Sequence, residues 1–221
     1  MIFFEKHFTE FLSDLEKNNN REWFLANKER YEKFVKIPFE HFVQHLIYKF
    51  QEIDETLRIT PGEAIFRIYR DVRFGKDKTP YKTHVSAIIA NGGRKNFRDP
   101  GVYVEIKSNK LNFYSGIYEM TKEQIYSTRT YIVSHLNEFN KLLSDKNFKK
   151  YYGTIQGEQN KILPAEFKET AKVQPLIANK QFYYFSKLPQ SKIFSKTLTD
   201  DLMKLYFAAQ PMNNFLVKAL K

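Results

Sequence analysis

The sequence has 221 residues, no cysteine and a formal net charge of +11. Because 42% of its residues are hydrophobic, the chain can bury a substantial core, which excludes general disorder. The missing cysteines exclude disulfides, thiolate metal sites and a cysteine nucleophile. The excess of positive charge favours an anionic partner, such as nucleic acid, anionic lipid or an acidic ligand.

The sequence predicts no membrane segment. No stretch approaches the roughly 18 apolar residues that a membrane-spanning helix requires. The first residues, MIFFEKHFTEF, contain only a short apolar run before Glu5 and Lys6, which is typical of neither a signal peptide nor an anchor. We therefore expect a cytoplasmic protein without a membrane partner.

Residues 1–56 predict helices. Apolar side chains recur at helical spacing up to the three asparagines at 18–20, which mark a turn. A second helix is expected to begin near Arg21. Because a proline disfavours helical geometry in the residue before it, Pro38 predicts a break or kink ahead of a third helix over 39–53.

Residues 64–118 predict a sheet. A first strand over 65–74 alternates between a mainly apolar face and a charged face. The apolar face carries Phe66, Ile68, Arg70, Val72 and Phe74, and the charged face carries Arg67, Tyr69, Asp71 and Arg73. Further strands are expected over 82–90, 102–107 and 111–118, and their short links favour an antiparallel sheet. Arg70 interrupts the apolar row, so its guanidinium needs a carboxylate, carbonyl groups or a bound anion.

Residues 121–221 predict helices and irregular structure. We expect a long amphipathic helix from Thr121 to about Leu143, with Thr121 and Gln124 at the spacing of a capping box. A short helix over 164–170 and a late strand over 182–185 are expected to follow. A final helix is expected to begin near 197–199 and to be interrupted near Pro211. Because no repeat or low-complexity linker occurs, we predict one α+β domain over 1–221. It would comprise N-terminal helices, a central mostly antiparallel sheet and C-terminal helices packed on that sheet.

Three segments of the sequence resemble a known family. They are FLSDLEKNNNREWFLANKERYE at 11–32, IFRIYRDVRFGKDKTPYKTH at 65–84 and DPGVYVEIKSNKLNFYSGIYEM at 99–120. Together they resemble the bacterial and fungal family catalogued as domain of unknown function 2461. The resemblance implies a single domain and marks 65–84 as the most recognisable segment. It implies no activity, cofactor or catalytic residue.

The concentrated basic charge of the sequence begins in this same segment, 65–84. Arginine offers a planar donor fork that suits carboxylate or phosphate, and lysine offers a mobile point charge. We therefore predict an anion-binding site for phosphate or carboxylate groups of a small or medium ligand. The candidate ligand-binding residues are Arg67, Tyr69, Arg70, Asp71, Arg73, Lys78, Tyr81, Lys82 and His84. The alternative is a solvated strand whose arginines pair with Asp71, Asp77 and helix carboxylates such as Glu22 or Glu29.

Two other classes of function stay open. A non-catalytic nucleic-acid-binding module would contact phosphates through the same cations and would stack bases on aromatic rings. The candidate stacking residues are Tyr69, Tyr81, Phe97 and Tyr103. A protein-interaction scaffold is the second alternative. If the protein is an enzyme, the acid–base groups expected near the arginines are His84, Tyr81, Asp71 and Asp77.

The sequence predicts no metal site, no particular cofactor and no oligomeric state. His41 and His45 have ligand-like helical spacing, but the segment between them lacks the glutamate of the HExxH pattern. Asp99-Pro100 followed by Glu105-Ile106-Lys107 resembles the carboxylates and lysine of metal-dependent nucleases. Here these residues alternate as an ordinary strand, so we interpret them as structural.

Overall fold

The computed structural model describes residues 1–73, 75–95 and 101–220. It has the α+β fold that the sequence predicts, with N-terminal helices, a central antiparallel sheet and C-terminal helices. The chain forms two compact units. The first contains Met1–Lys95, Tyr103–Phe113 and Lys187–Met203, and the second contains Tyr114–Ser186 together with 101–102 and 204–220. The single-domain organisation stays a prediction.

The N-terminal helices are α1 (Lys6–Lys17), α2 (Arg21–Ala26), α3 (Lys28–Tyr31), a π-helical turn (Glu32–Lys36), α4 (Ile37–Gln51) and α5 (Pro61–Ala64). The turn at 18–20 ends in an N-cap, because the Asn20 side chain accepts a hydrogen bond from the Trp23 N–H at 2.9 Å. Pro38 lies in the first turn of α4, directly after the π-helical turn, in which the Ile37 N–H donates to the Glu32 carbonyl. Helical backbone angles continue through the π-helical turn into α4, so the chain does not break at Pro38.

The sheet has the order β1 (His84–Ile89), β2 (Gly101–Lys107), β3 (Lys110–Ile117) and β4 (Phe182–Pro189). The late strand predicted over 182–185 is confirmed, and in the structure it continues to Pro189 as β4. The predicted strand over 65–74 is wrong as a regular strand. Of its residues, Phe74 lies outside the described part of the chain.

Residues 65–70 are instead an irregular partner of 80–87. Isolated antiparallel bridges join Ile65 to Ala87 and Tyr69 to Tyr81, so the bridges are four residues apart on one side and six on the other. The two extra residues form a bulge between Lys82 and Ser86, which interrupts the ladder. The side chains still alternate between buried and exposed although the strand pairing is irregular. Ile68 is buried, while Arg67 and Tyr69 are exposed, as predicted.

The C-terminal helices are α6 (Lys122–Ser134), α7 (Leu136–Ser144), α8 (Lys146–Tyr152), α9 (Ala165–Val173), α10 (Gln190–Ile193) and α11 (Leu198–Ala219). The predicted capping box is confirmed, since Thr121 and Gln124 exchange side-chain and backbone hydrogen bonds at 3.0 and 3.2 Å. Two predictions are wrong. The helix expected over 121–143 divides at His135, whose backbone leaves helical geometry, and α11 continues through Pro211. Buried neighbours such as Met212 and Phe215 hold α11 together by packing, which overrides the local cost of a proline.

In the second unit, α11 is tied to the sheet by buried polar side chains. The Tyr184 hydroxyl donates to Asn213 Oδ1 at 2.6 Å, and Asn213 Nδ2 donates to Ser115 Oγ at 2.8 Å. Complete burial raises the pKa of Tyr184 far above its ordinary range, so the hydroxyl stays a donor. In the described ranges, no helix is both long and apolar enough to cross a membrane.

Candidate functional site

The basic segment 65–84 is anchored to the turn between α1 and α2. Asn19 Nδ2 donates to the Tyr81 carbonyl at 2.9 Å, and the Tyr81 N–H donates to Asn19 Oδ1 at 3.1 Å. The Tyr81 ring stacks on Phe24 with centroids 4.0 Å apart, and Tyr81 is only 3% exposed. The segments 11–32 and 65–84 therefore contact each other directly, and Tyr81 contributes to the core at this contact.

Arg70 has an acidic partner. Its guanidinium donates to the Asp77 carboxylate and to the Thr79 hydroxyl. Asp77 also accepts a hydrogen bond from the Thr79 N–H at 2.9 Å. This backbone donor, followed by Arg70, lowers the pKa of Asp77 to about 2. The arginine that interrupts the apolar row is thus satisfied within its own loop.

The other loop cations also bind neighbouring groups. Arg73 makes a two-pronged contact with Asp71, at 2.7 Å from Nη2 to Oδ2 and 3.0 Å from Nε to Oδ1. The hydrogen bonds from Arg73 lower the pKa of Asp71 to about 2. Lys78 Nζ donates to the Val72 carbonyl at 2.8 Å. These contacts agree with the alternative in which the loop cations are solvated and paired, although exposed pairs of this kind contribute only about 0–1 kcal/mol each.

Lys82 and Arg67 differ from the loop cations. Lys82 lies at the start of the bulge, half-buried, with Nζ 5.2 Å from the centroid of the Phe66 ring. Burial and the nearby positive charge of Arg67 lower the pKa of Lys82 from its ordinary value. Among the residues that the structure describes, no carboxylate forms an ion pair with either cation.

His84 lies within the bulge, at the start of β1, and faces β2. Its Nε2 lies 3.7 Å from Glu105 Oε2, and the two side chains are 23% and 12% exposed. Glu105 is held in place by Asn112 Nδ2, which donates to Oε1 at 2.8 Å, and by Lys107 Nζ at 3.5 Å. Burial is the largest influence on the His84 pKa and lowers it, Glu105 opposes this change, and the positive charges of Lys107 and Lys82 add to it.

Sequence reasoning missed Glu105, Lys107 and Asn112. The alternation in 102–107 placed Tyr103, Glu105 and Lys107 on one face, which was the available signal. The sequence pattern did not give the register of β2 against β1, because cross-strand neighbours depend on pairing between distant parts of the chain.

The described ranges contain no group of three or more histidine, aspartate or glutamate side chains placed to hold a metal ion. His45 packs against Phe3, with ring centroids 5.2 Å apart. The sequence interpretations that involve Phe97, Asp99 and Pro100 fall outside the described residues.

The fold is thus α+β, with a half-buried basic cluster beside a bulge at the first strand of the sheet. The chain belongs to the family described as conserved hypothetical protein (DUF2461), which matches residues 7–215. This match confirms the resemblance seen in the sequence. A comparison with curated proteins finds no match.

Proposed function

We propose that the protein binds an oxyanion, such as a phosphate or carboxylate group of a small or medium ligand, at a surface formed by Arg67, Lys82, His84 and Lys107. We call these four residues the Lys82 surface. The proposal keeps the predicted chemistry but moves its centre from the loop at 70–78 to the bulge and the sheet. The predicted cytoplasmic location is part of the same proposal.

The observation that carries the proposal is the environment of Lys82. A half-buried ammonium group loses hydration and normally gains a carboxylate in exchange. Lys82 instead has an aromatic ring and a second cation nearby, and its pKa is lowered. A bound oxyanion would supply the missing negative charge and hydrogen-bond acceptors. Bulges are also common beside binding sites, because they redirect side chains.

The loop cations support the proposal by contrast. Arg70 and Arg73 already have carboxylate partners, and Lys78 has a carbonyl partner. An external anion would have to displace these partners before it could bind there. Among the described residues, Glu105 lies beside the Lys82 surface but is already contacted by Asn112 and Lys107. Asp71, whose charge interacts with that of Arg67, is already bound by Arg73.

Replacing Lys82 by glutamine is expected to weaken phosphate binding by roughly 10- to 150-fold. The estimate follows from the loss of one hydrogen bond to a charged group, about 1.5–3 kcal/mol, with 1.4 kcal/mol for each factor of ten. Titration calorimetry with inorganic phosphate at low ionic strength measures the change. The Lys168→Gln variant is the matched control, because Lys168 is exposed on α9 and its replacement removes the same charge.

Lys78→Gln separates the Lys82 surface from the loop. Unchanged phosphate affinity in Lys78→Gln, together with weak binding in Lys82→Gln, supports the proposal. The opposite pattern would place the site in the loop, and equal affinity of wild type and Lys82→Gln would refute the Lys82 surface.

The nucleic-acid-binding alternative uses the same positive charge but needs exposed rings. Tyr81, one of its candidate stacking residues, is buried against Phe24, whereas Tyr69 is exposed. A labelled single-stranded oligonucleotide tests this alternative, because binding through phosphates must fall steeply with salt concentration. Oligonucleotide binding that depends on Lys82 and weakens steeply with salt concentration would indicate that the ligand is a nucleic acid. The scaffold alternative predicts instead that partner capture, and not phosphate binding, responds to surface substitutions.

A further inference from the structure

We infer that the Lys82 surface takes up a proton when it binds its anion, and that the His84 imidazole accepts this proton and then donates a hydrogen bond to the anion. The inference rests on the proposed function. It adds a binding role for His84 and makes the affinity for the anion depend on pH.

The position of His84 leaves its ring free to change partners. The 3.7 Å between Nε2 and Glu105 Oε2 exceeds the 2.7–3.2 Å range of an N–H···O hydrogen bond. Within the described residues, neither ring nitrogen makes a hydrogen bond. Glu105 already accepts from Asn112 Nδ2 and lies near Lys107 Nζ, so it does not depend on His84 for a partner.

The surroundings of His84 favour its neutral form when no anion is bound. The groups that face it are Glu105 and Lys107 on β2 and Lys82 on the bulge, with Arg67 acting on Lys82. Burial and the two ammonium groups lower the pKa of His84, and the single carboxylate does not offset them. A neutral imidazole in this position avoids adding a further positive charge to a basic, partly buried cluster.

A bound oxyanion reverses this balance. It brings negative charge beside Lys82 and His84, which raises the pKa of the imidazole. Protonation also gives both ring nitrogens an N–H to donate, and a charge-assisted hydrogen bond is about twice as strong as a neutral one. Because coupling between two bound species is reciprocal, anion affinity must increase as pH falls through the range where His84 titrates. For one proton the increase cannot exceed tenfold per pH unit.

Titration calorimetry with sulfate tests the inference, because sulfate does not titrate near neutral pH and cannot supply or take up the proton itself. Measurements at the same pH in two buffers with different ionisation enthalpies give the number of protons taken up. We expect uptake of a fraction of one proton per sulfate in the wild type, and none in His84→Gln, which should bind sulfate more weakly. His41→Gln, on the exposed side of α4, is the matched control and should retain the wild-type uptake.

The pH dependence of the wild-type sulfate affinity checks the same uptake without a substitution. Affinity that increases from pH 8 to pH 6 supports the inference. Sulfate binding without proton uptake, or the same uptake in His84→Gln as in the wild type, would overturn the inference and leave the anion site intact. Failure of the wild type to bind sulfate, phosphate and acetate would overturn the proposed function itself.

Discussion

Replacing Phe24 by alanine is expected to lower the free energy of unfolding by about 3–5 kcal/mol. Phe24 is 2% exposed, and its ring lies 4.0 Å from that of Tyr81 and 5.2 Å from that of Tyr31. Truncation removes these contacts and leaves a cavity between α2 and the extended segment at 80–87. Urea denaturation measures the loss, because the free energy of unfolding follows from the midpoint of the transition and from the slope of the free energy against urea concentration.

Leu25→Ala is the matched control for Phe24→Ala. Leu25 is the next residue of α2 but is 57% exposed, so its truncation should change the free energy of unfolding by no more than about 0.5 kcal/mol. Similar losses in both variants, or a loss below about 1 kcal/mol in Phe24→Ala, would contradict the role of Phe24 in joining the two segments.

Gly116→Ala is expected to destabilise the protein by about 2–5 kcal/mol, the sum of the left-handed backbone cost and overpacking. Gly116 lies in β3 with φ of +91°, and a Cβ there would lie 2.2 Å from the Phe182 carbonyl oxygen on β4. The obstructing atom belongs to the backbone, so relief requires the two strands to move apart. Thermal unfolding and chemical denaturation both measure the effect.

Gly153→Ala separates the two causes. Gly153 also has a positive φ, of +72°, but a Cβ there would meet no atom within 4 Å. Its ψ of −70° makes this a strained conformation for any other residue, so we expect only the backbone cost of about 1–3 kcal/mol. Equal losses at the two positions would show that the close approach of β3 and β4 contributes nothing.

The local parts of the fold could be predicted from the sequence. The Thr121 capping box and the alternation of Arg67, Ile68 and Tyr69 depend on residues close together in the chain, and both agree with the structure. The antiparallel sheet followed from short links between its first three strands. These features could be predicted because the side-chain period of a strand and the geometry of a helix cap are set by residues close together in the chain.

The partner of Arg70 could not be predicted in the same way. The sequence allowed a carboxylate, carbonyl groups or a ligand, and Asp77 reaches Arg70 because the loop folds back. The sequence is the same whether an arginine and an aspartate seven residues apart pair with each other or face solvent. The bulge after Lys82 has a similar origin, since it follows from the register of two segments and not from any residue type.

The surroundings of Lys82 could not be predicted from its local sequence. The sequence placed Lys82 among nine candidate ligand-binding residues but did not distinguish it from the loop cations. In the structure its side chain is half-buried beside Phe66, without a carboxylate among its described neighbours. Departures of this kind are expected where a protein sacrifices stability for binding. Glu105 and His84 then meet beside it through pairing of β1 with β2.

Anomalous scattering from crystals soaked in selenate, the heavier analogue of sulfate, tests the anion site most directly. We predict a selenium peak whose oxygens lie within hydrogen-bond distance of Lys82 Nζ and of the Arg67 guanidinium, and its loss in Lys82→Gln crystals. Selenate bound only at Arg70, Arg73 or Lys78, with none at Lys82, would contradict the proposed site.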